Sequence, residues 1–536
     1  MAKRQDNVFM SVQSQPVESN NFDHSHDVKF TFKMGSLVPF SVQEVLPGDT
    51  FSIDHAALFR FAPLIAPVMH RVKLNVEWFF VPNRILWDGW EDFITGVGTP
   101  PIRPYILSPD EIGKSTLADY MGIPPGDYSL NPVEFNALPF AAYLKIYDDW
   151  YRYAPVIDPK SPVVTSGSNG DLLGFLNGAP LNRAWEHDYF TSALPDTQQG
   201  AQVELPLVNQ QNIPVELVDG AALSDATSGW MTQGNTVAAA GNIKMATGPS
   251  PFSRSTHAFD DEPIVYDPRG SLFVDVQAEA ATINDLREAF ALQAFLERTL
   301  RGGERYIEQI WAHFQVHSSD ARLQRPEFLG RSVQNMTISE VLSTAQSSND
   351  PETATVPVGQ MAGHGISTGG GSRIYYTAEE HGFIVGIVSA IPQTSYQDGL
   401  HPMWSRADRY DYAWPSFANL GERPITRKEL ICHDFTADVD LDEVFGYIPQ
   451  YSEYRYANSR VAGDFRDLLS FWTLGRIFDP QNPPELNEDF ISCRSDEGLS
   501  RIFAVQNETD YIWGLIMLDI DIRRRLPRYG VPQLVG

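Results

Sequence analysis

The sequence predicts a mainly β fold with long loops, a few helices and a large surface insertion. Three observations support this. Glycine (39) and proline (38) are plentiful and dispersed along 536 residues, which is typical of many short strands joined by turns. Apolar residues alternate with polar ones in several stretches, which is the pattern of half-buried strands. Helical spacing of apolar residues occurs in only a few segments.

Strands are predicted near both ends of the chain. Apolar residues alternate from Val28 to Phe32, and a second run ends before the turn sequence Pro47-Gly48-Asp49. A long strand is predicted over 68–81, closed by Pro82. Towards the C-terminus we predict strands over 383–391, 501–505 and 511–522, with the apolar runs in the first and last of these buried. Proline- and glycine-rich residues 97–136 and glycine-rich residues 359–372 are expected to be loops.

Helices are predicted in four places. Aromatic and aliphatic residues recur at helical spacing over 139–152, where an apolar face packed on a core explains them. A helix is expected to start at Thr282, a suitable N-cap, and to end at Gly302-Gly303. A second helix follows over 307–314, and another is predicted at 465–474.

The composition indicates a body with one insertion. Residues 1–27 are polar and are expected to form an N-terminal arm. From about residue 200 the chain is rich in Gln, Asn, Ala, Thr, Ser and Gly and almost lacks Lys and Arg. We therefore divide the chain into the arm, a first part of the body (28–199), an inserted surface projection (200–275) and a second part of the body (276–536).

Charge and cysteine content exclude several classes of protein. A net charge of −28 repels phosphate, so any contact with nucleic acid must be local. Two cysteines cannot form a disulfide framework or a Cys-based metal site, and such low use fits a reducing cytosol. The N-terminus has no apolar signal-peptide region, and no apolar run approaches the ~20 residues of a membrane-spanning helix, so no membrane insertion is expected.

Motifs for catalysis are lacking, and the sequence predicts no enzyme and no cofactor. No Gly-x-Ser-x-Gly, His-Glu-x-x-His or dinucleotide-binding fingerprint occurs. Asp438, Asp440 and Asp442 begin like a calcium-binding loop, but Glu443 stands where such a loop needs glycine, and Pro449 where it needs glutamate. These aspartates are therefore weak metal candidates, and a strand with outward carboxylates is the alternative.

The densest positive cluster lies near the C-terminus. It comprises Arg523, Arg524, Arg525 and Arg528, beside Tyr529. Arginine and tyrosine suit phosphates and stacked bases of single strands, so these residues are candidate DNA contacts. Ion pairs with carboxylates of neighbouring subunits are an equally weighted alternative.

Several long motifs resemble the major capsid protein of the Microviridae, specifically its gokushovirus branch. The similarity extends from about residue 28 to the end and is weakest across 200–275. The matching motifs, in chain order, are 188–195 (DYFTSALP), 282–290 (TINDLREAF), 320–330 (DARLQRPEFLG), 380–383 (EHGF), 445–456 (FGYIPQYSEYRY) and 525–530 (RLPRYG).

The resemblance implies a structural protein with an eight-stranded antiparallel jelly roll. It implies that copies of the chain assemble in the host cytoplasm into a T=1 icosahedral shell, the virion of a bacteriophage. Expected partners are other copies of the chain, packaged circular single-stranded DNA and a small basic internal DNA-binding protein. The insertion is expected to project at the threefold axes and to contact a host surface receptor. The competing hypotheses are a secreted-type β-sandwich carbohydrate-binding protein or glycosidase, and a phage spike or portal-like component.

Overall fold

The computed structural model describes residues 19–96, 99–200, 283–342, 361–435, 439–495, 498–505 and 509–528, with residue 203 and six short strands between 212 and 275. The chain forms two compact units. Unit 1 comprises residues 1–199 and 297–536, and unit 2 comprises residues 200–296. Unit 2 therefore extends beyond the insertion predicted at 200–275.

Most regular structure is β. The strands, in chain order, are β1 (Asn20–Asp23), β2 (His26–Phe32), β3 (Val38–Val45), β4 (Thr50–Phe61), β5 (Val72–Pro82), β6 (Tyr105–Leu107), β7 (Glu111–Ile112), β8 (Gly126–Asp127), β9 (Glu134–Asn136), β10 (Asn212–Pro214), β11 (Met231–Thr232), β12 (Ile243–Met245), β13 (Phe252–Arg254), β14 (Glu262–Val265), β15 (Phe273–Asp275), β16 (Glu327–Asn335), β17 (Thr337–Leu342), β18 (Met361–Gly370), β19 (Ile374–Thr377), β20 (Gly382–Pro392), β21 (Glu422–Thr426), β22 (Val444–Pro449) and β23 (Ile512–Arg524).

The helices are few and mostly short. They are α1 (Asn83–Leu86), α2 (Trp90–Thr95), α3 (Leu117–Tyr120), α4 (Leu138–Ile146), α5 (Leu173–Leu176), α6 (Ile283–Gly302), α7 (Tyr306–Phe314) and α8 (Glu488–Ile491). A π-helical turn, Tyr147–Tyr151, continues α4. The predicted helices at 139–152, 282–301 and 307–314 are thus present.

Two antiparallel sheets form the body of unit 1. The larger sheet has seven strands in the order β1-β23-β4-β18-β17, with β2 also paired to β23 and β19 to β4. The smaller sheet has the order β16-β5-β20-β3. Eight of these strands can be numbered one to eight along the chain: β2, β3, β4, β5, β16, β18, β20 and β23. In this numbering the larger sheet contains the order 1-8-3-6, and the smaller sheet has the order 2-7-4-5. This is the jelly-roll arrangement, and it confirms the predicted fold class. The larger sheet also contains β1, β17 and β19, which are additional to the eight strands expected for the two sheets together.

The main core lies between these sheets. It includes Phe51, Phe59 and Ile516 from the larger sheet and Val76 and Trp78 from the smaller one. β23 alternates buried and exposed residues along nearly its whole length, because one of its faces packs on the core and the other faces outward.

The two central strands of the smaller sheet, β5 and β20, are buried on both faces. All residues of β20 are buried, as the uninterrupted apolar run predicted. A second core covers the face turned away from the larger sheet, where Phe79 and Val385 share a cluster with Phe140 and Leu144 of α4. The apolar stripe predicted over 139–152 therefore serves core packing.

Three local predictions were wrong. Residues 361–370, expected to be a glycine loop, form β18, which pairs with β4 and β17. Residues 499–502 form a 3-10 turn where a strand was predicted. Residues 465–474 contain 3-10 turns instead of an α-helix. In each case tertiary packing overrides local propensity.

The described part of unit 2 consists mainly of short antiparallel strands and residues 283–296 of α6. β10 pairs with β15, and a second sheet has the order β11-β14-β13-β12. The strands are two to four residues long, as expected where short alternating runs are separated by polar and glycine-rich sequence.

Candidate functional site

The C-terminal arginines lie at and beyond the end of β23, a 13-residue strand of the larger sheet that pairs with β4 on one side and with β1 and β2 on the other. At this end β23 pairs with β1, so that Asn20 lies opposite Arg524 and Phe22 opposite Ile522. Residues 20–23 and 26–27 of the predicted polar arm are thus part of the sheet. Strand alternation sends neighbouring arginines to different environments.

Arg524 is held within the subunit. Its Nη2 lies 2.6 Å from Oδ2 of Asp49, its Nε lies 2.8 Å from the same oxygen, and Nη2 also donates to the Glu44 carbonyl. The Asp49 side chain is 1% exposed and that of Arg524 17%. The ion pair therefore fastens the end of β23 to the turn between β3 and β4.

The other arginines are exposed. Arg523 points to the outer face of the sheet, where its Nε donates to the Ser19 hydroxyl at 3.1 Å. Arg525 lies against Gly48, and Arg528 is exposed without an ion pair in the part of the chain that the structure describes. Tyr529 lies outside the described residues. The structure thus divides the predicted cluster into one internal ion pair and three accessible cations.

The acidic loop near residue 440 is neutralised by nearby cations. The Asp440 carboxylate accepts from the Asp442 amide, and Asp442 Oδ1 lies 2.6 Å from Lys428 Nζ. Arg427 pairs with Glu443 at 2.6 Å. Asp438 lies outside the described residues. No group of three or more His, Cys, Asp or Glu within the described ranges could hold a metal ion. The outward-facing strand suggested for this segment is wrong here, because β22 begins only at Val444.

Sequence reasoning missed a buried carboxylate that joins several elements. Glu77, in β5, accepts hydrogen bonds from Tyr151 at 2.6 Å and from Arg183 at 2.8 Å. Arg331 lies 3.3 Å from its other oxygen. Burial and the neighbouring carboxylate raise the pKa of the Tyr151 hydroxyl well above its usual value. The partners come from distant segments, so no local signal could have indicated this cluster.

A second such cluster lies in the loop region beside β21 and β22. Glu429 accepts from Tyr189 at 2.7 Å and pairs with Arg423 at 3.0 Å. Burial raises the pKa of Glu429 above its usual value, although Arg423 opposes the shift. Like Glu77, it fixes the packing of segments that are far apart in sequence.

Comparison with known proteins identifies the family. A profile of the phage capsid protein (F protein) family matches residues 10–534. The chain belongs to this capsid protein family. It is 34% identical to capsid protein VP1 of Chlamydia phage 1 and 35% identical to capsid protein VP1 of Bdellovibrio phage phiMH2K, with 98% of both chains covered in each case. It is 27% identical to capsid protein VP1 of Spiroplasma virus 4 over 95% of this chain and 94% of that relative.

These matches confirm the resemblance found in the sequence. The chain is a major capsid protein of the Microviridae type, its role is structural, and it self-assembles into the shell of a virion. Its jelly roll is the fold expected for that role. Among the described residues, no helix has the length and apolarity needed to cross a bilayer.

Proposed function

We propose that this capsid protein forms a T=1 icosahedral shell around circular single-stranded DNA and has no catalytic activity. The observation that carries the proposal is the match to phage capsid proteins over nearly the entire chain. The jelly roll supports the proposal. The buried charge clusters around Glu77 and Glu429 hold together segments that are far apart in sequence, which is a structural role. Assembly in the host cytoplasm is supported by the low cysteine content, which suits a reducing compartment.

Electron microscopy of the purified full chain and of phage particles tests this proposal. Uniform small shells whose reconstruction has one copy per asymmetric unit are expected. DNA extracted from particles should be degraded by a nuclease specific for single strands and resist an exonuclease that needs free ends. Larger lattices, rings or dispersed monomers would contradict the assembly, and glycan hydrolysis abolished by replacing one carboxylate would contradict the structural role.

We also infer a genome contact at the C-terminal arginines. Arg523, Arg525 and Arg528 are accessible cations in a chain with a net charge of −28, and Tyr529 adjoins them in sequence. A few arginines per subunit cannot neutralise all the phosphate charges of a packaged genome. A small basic internal DNA-binding protein is therefore the expected additional partner.

The insertion, residues 200–275, is proposed to project at the threefold axes and to bind a host surface receptor. Its small, polar composition suits an exposed lobe, and it falls within a separate compact unit. Its strands are too short to be stable as isolated hairpins, and packing against symmetry-related copies would bury them.

Replacement of residues 201–270 by a short Gly-Ser linker tests the insertion. Shells are expected to assemble but to lose adsorption to host cells. A control variant with the same linker inserted after residue 203, with no deletion, should retain both properties. If the deletion abolishes assembly of a folded chain, the segment is a clamp between subunits and the receptor role is wrong.

A further inference from the structure

β17 (Thr337–Leu342) forms one edge of the larger sheet. It pairs with β18 on one side, and no strand among the described residues pairs with its other side. Its side chains are exposed at every position except Ile338, which is half-buried. The main-chain groups along this free edge are therefore an open template for another strand.

The other sheet edges carry features that discourage pairing with a second chain. On the far side of the larger sheet the edge is divided between β1, which has four residues, and β2, which exposes Asp27 and Lys29. β19 also has only four residues. In the smaller sheet, β3 contains Pro39, and β16 has a register shift and carries Glu327 and Arg331.

β17 lacks these protective features. Half of its six residues are Thr, Ile or Val, which favour strands. It contains no proline, its pairing with β18 has no register shift, and Glu340 is its single charged residue. Val341 and Leu342 are 51% and 54% exposed. Among the described edges, β17 is thus the one best suited to pair with another chain.

The end of β17 also has little support within the subunit. β18 pairs with β4 over 366–370, and a further bridge joins Gly363 of β18 to Leu64. Beyond that bridge, Leu342 of β17 lies opposite Met361 of β18, and these strand ends pair only with each other in the described part of the chain. Two strands alone are marginally stable in water, so an additional strand would stabilise this end of the sheet.

We propose that β17 pairs antiparallel with β17 of a neighbouring copy across a twofold axis, so that the larger sheets of two subunits become continuous. The inference rests on the proposed icosahedral shell, which contains such axes. The chain assembles with copies of itself, so a second copy is present at every subunit. A contact of β17 with itself is isologous, which means that it needs no second unprotected edge on the partner.

The twofold axis restricts the register. An axis perpendicular to the sheet keeps the same face of both copies on the same side, so one residue of β17 lies opposite its own copy. The two registers with the longest overlap place Ser339 or Glu340 on the axis. Two copies of Glu340 would repel each other, because like charges directly opposite destabilise a strand pair. We therefore place Ser339 on the axis, with Ile338 opposite Glu340 of the neighbouring copy.

Charge substitution on the axis tests the contact. Ser339→Lys and Ser339→Glu are each expected to lower the shell yield about tenfold or more, since each places two like charges directly opposite each other. Both variants should melt like the wild-type chain before assembly, because the side chain is exposed. Thr368→Lys is the matched control. It adds the same charge at an exposed position of β18 that pairs with β4, and it should assemble normally.

Mixing the two variants provides a rescue. In a shell with one copy per asymmetric unit, each subunit takes part in one twofold contact, so a Ser339→Lys copy can pair with a Ser339→Glu copy at every axis. Co-expression of the two variants is therefore expected to restore a yield close to that of the wild type. If either single variant assembles normally, or if the mixture does not recover although both chains melt normally, the contact is wrong.

Cysteine cross-linking in assembled shells tests the register. The variants are made with Cys432→Ser, which leaves the buried Cys493 as the remaining native thiol. Ser339→Cys is expected to form disulfide-linked dimers under a mild oxidant, because directly opposite residues of antiparallel strands have Cα atoms about 4.5–5.5 Å apart. Glu340→Cys is the matched control, since its two copies would lie more than about 7 Å apart, too far for a disulfide.

These outcomes separate the inference from the shell itself, because cross-linking is measured on intact particles. If Ser339→Cys remains monomeric in shells, the β17 edge is not paired with a second copy and the proposal is wrong, while the proposed shell stands. Dimers from Glu340→Cys in place of Ser339→Cys would also contradict the proposed pairing.

Discussion

Arg524 and Asp49 form the ion pair that closes the end of the larger sheet, with Nη2 2.6 Å from Oδ2. Asp49 also accepts from the Leu46 amide through the same oxygen. The carboxylate is buried, and the guanidinium compensates for its lost contact with water. One arginine of the C-terminal cluster therefore holds the fold together while its neighbours remain accessible.

Arg524→Gln is expected to destabilise the unassembled chain by about 3 kcal/mol, because it leaves the charge of Asp49 buried without its partner. Arg523→Gln, the matched control on the exposed face of the same strand, should change stability by less than about 0.5 kcal/mol. Chemical denaturation of the full chain measures both. Equal effects of the two substitutions would show that the ion pair contributes nothing.

Replacement of Arg525 and Arg528 by Gln is expected to leave shell assembly intact and to reduce the DNA content of particles. Arg524 is left unchanged so that the sheet remains closed. The ratio of absorbance at 260 and 280 nm across purified particles, with Arg322→Gln as control, provides the measurement. If shells fail to form although the chain melts normally, these arginines are intersubunit ion pairs.

The fold is expected to lose stability in mild acid through His55. This side chain, in β4, contacts the Ser332 hydroxyl of β16 at 2.7 Å and so links the two sheets. Burial lowers the pKa of His55 below its usual 6.5. The unfolded chain therefore takes up the proton first, and stability falls as the pH drops below about 6.5.

His55→Gln should flatten this acid-side decline in melting temperature, because glutamine can still bond to Ser332 but does not titrate. His26→Gln, at an exposed position, should leave the decline unchanged. An identical pH profile for wild type and His55→Gln would exclude His55 as its source.

Gly363→Ala is expected to destabilise the chain by about 1–3 kcal/mol, the usual cost of overpacking. An added Cβ would lie 2.4 Å from the Ala66 carbonyl oxygen, and backbone atoms cannot move aside easily. Gly174→Ala, where an added Cβ meets nothing within 4 Å, is the control and should be neutral or stabilising. Thermal melting distinguishes them, and similar melting temperatures would refute the packing constraint.

The strong patterns predicted their elements well. The run at 383–391 became the fully buried β20, and the stripe at 139–152 became α4 with its π-helical turn. The family motifs led to the capsid assignment that the full-length matches confirmed. These predictions depended on local periodicity or on long sequence motifs, and both can be read from the sequence without knowledge of the tertiary structure.

Other features depended on partners far away in the chain. Residues 361–370 form a strand because their backbone groups pair with β17 and β4. Glycine is needed within it because an added Cβ at Gly363, Gly365, Gly369 or Gly370 would lie less than 3 Å from a neighbouring atom. Arg524 differs from Arg525 because strand alternation and the β3–β4 turn bring only Arg524 to Asp49, 475 positions away. The sequence alone determined the fold class, the family and where cations accumulate. Tertiary structure decided which of those cations are neutralised. Ion pairing depends on contacts between segments that are far apart in the chain, and no local sequence pattern indicates which distant segments meet.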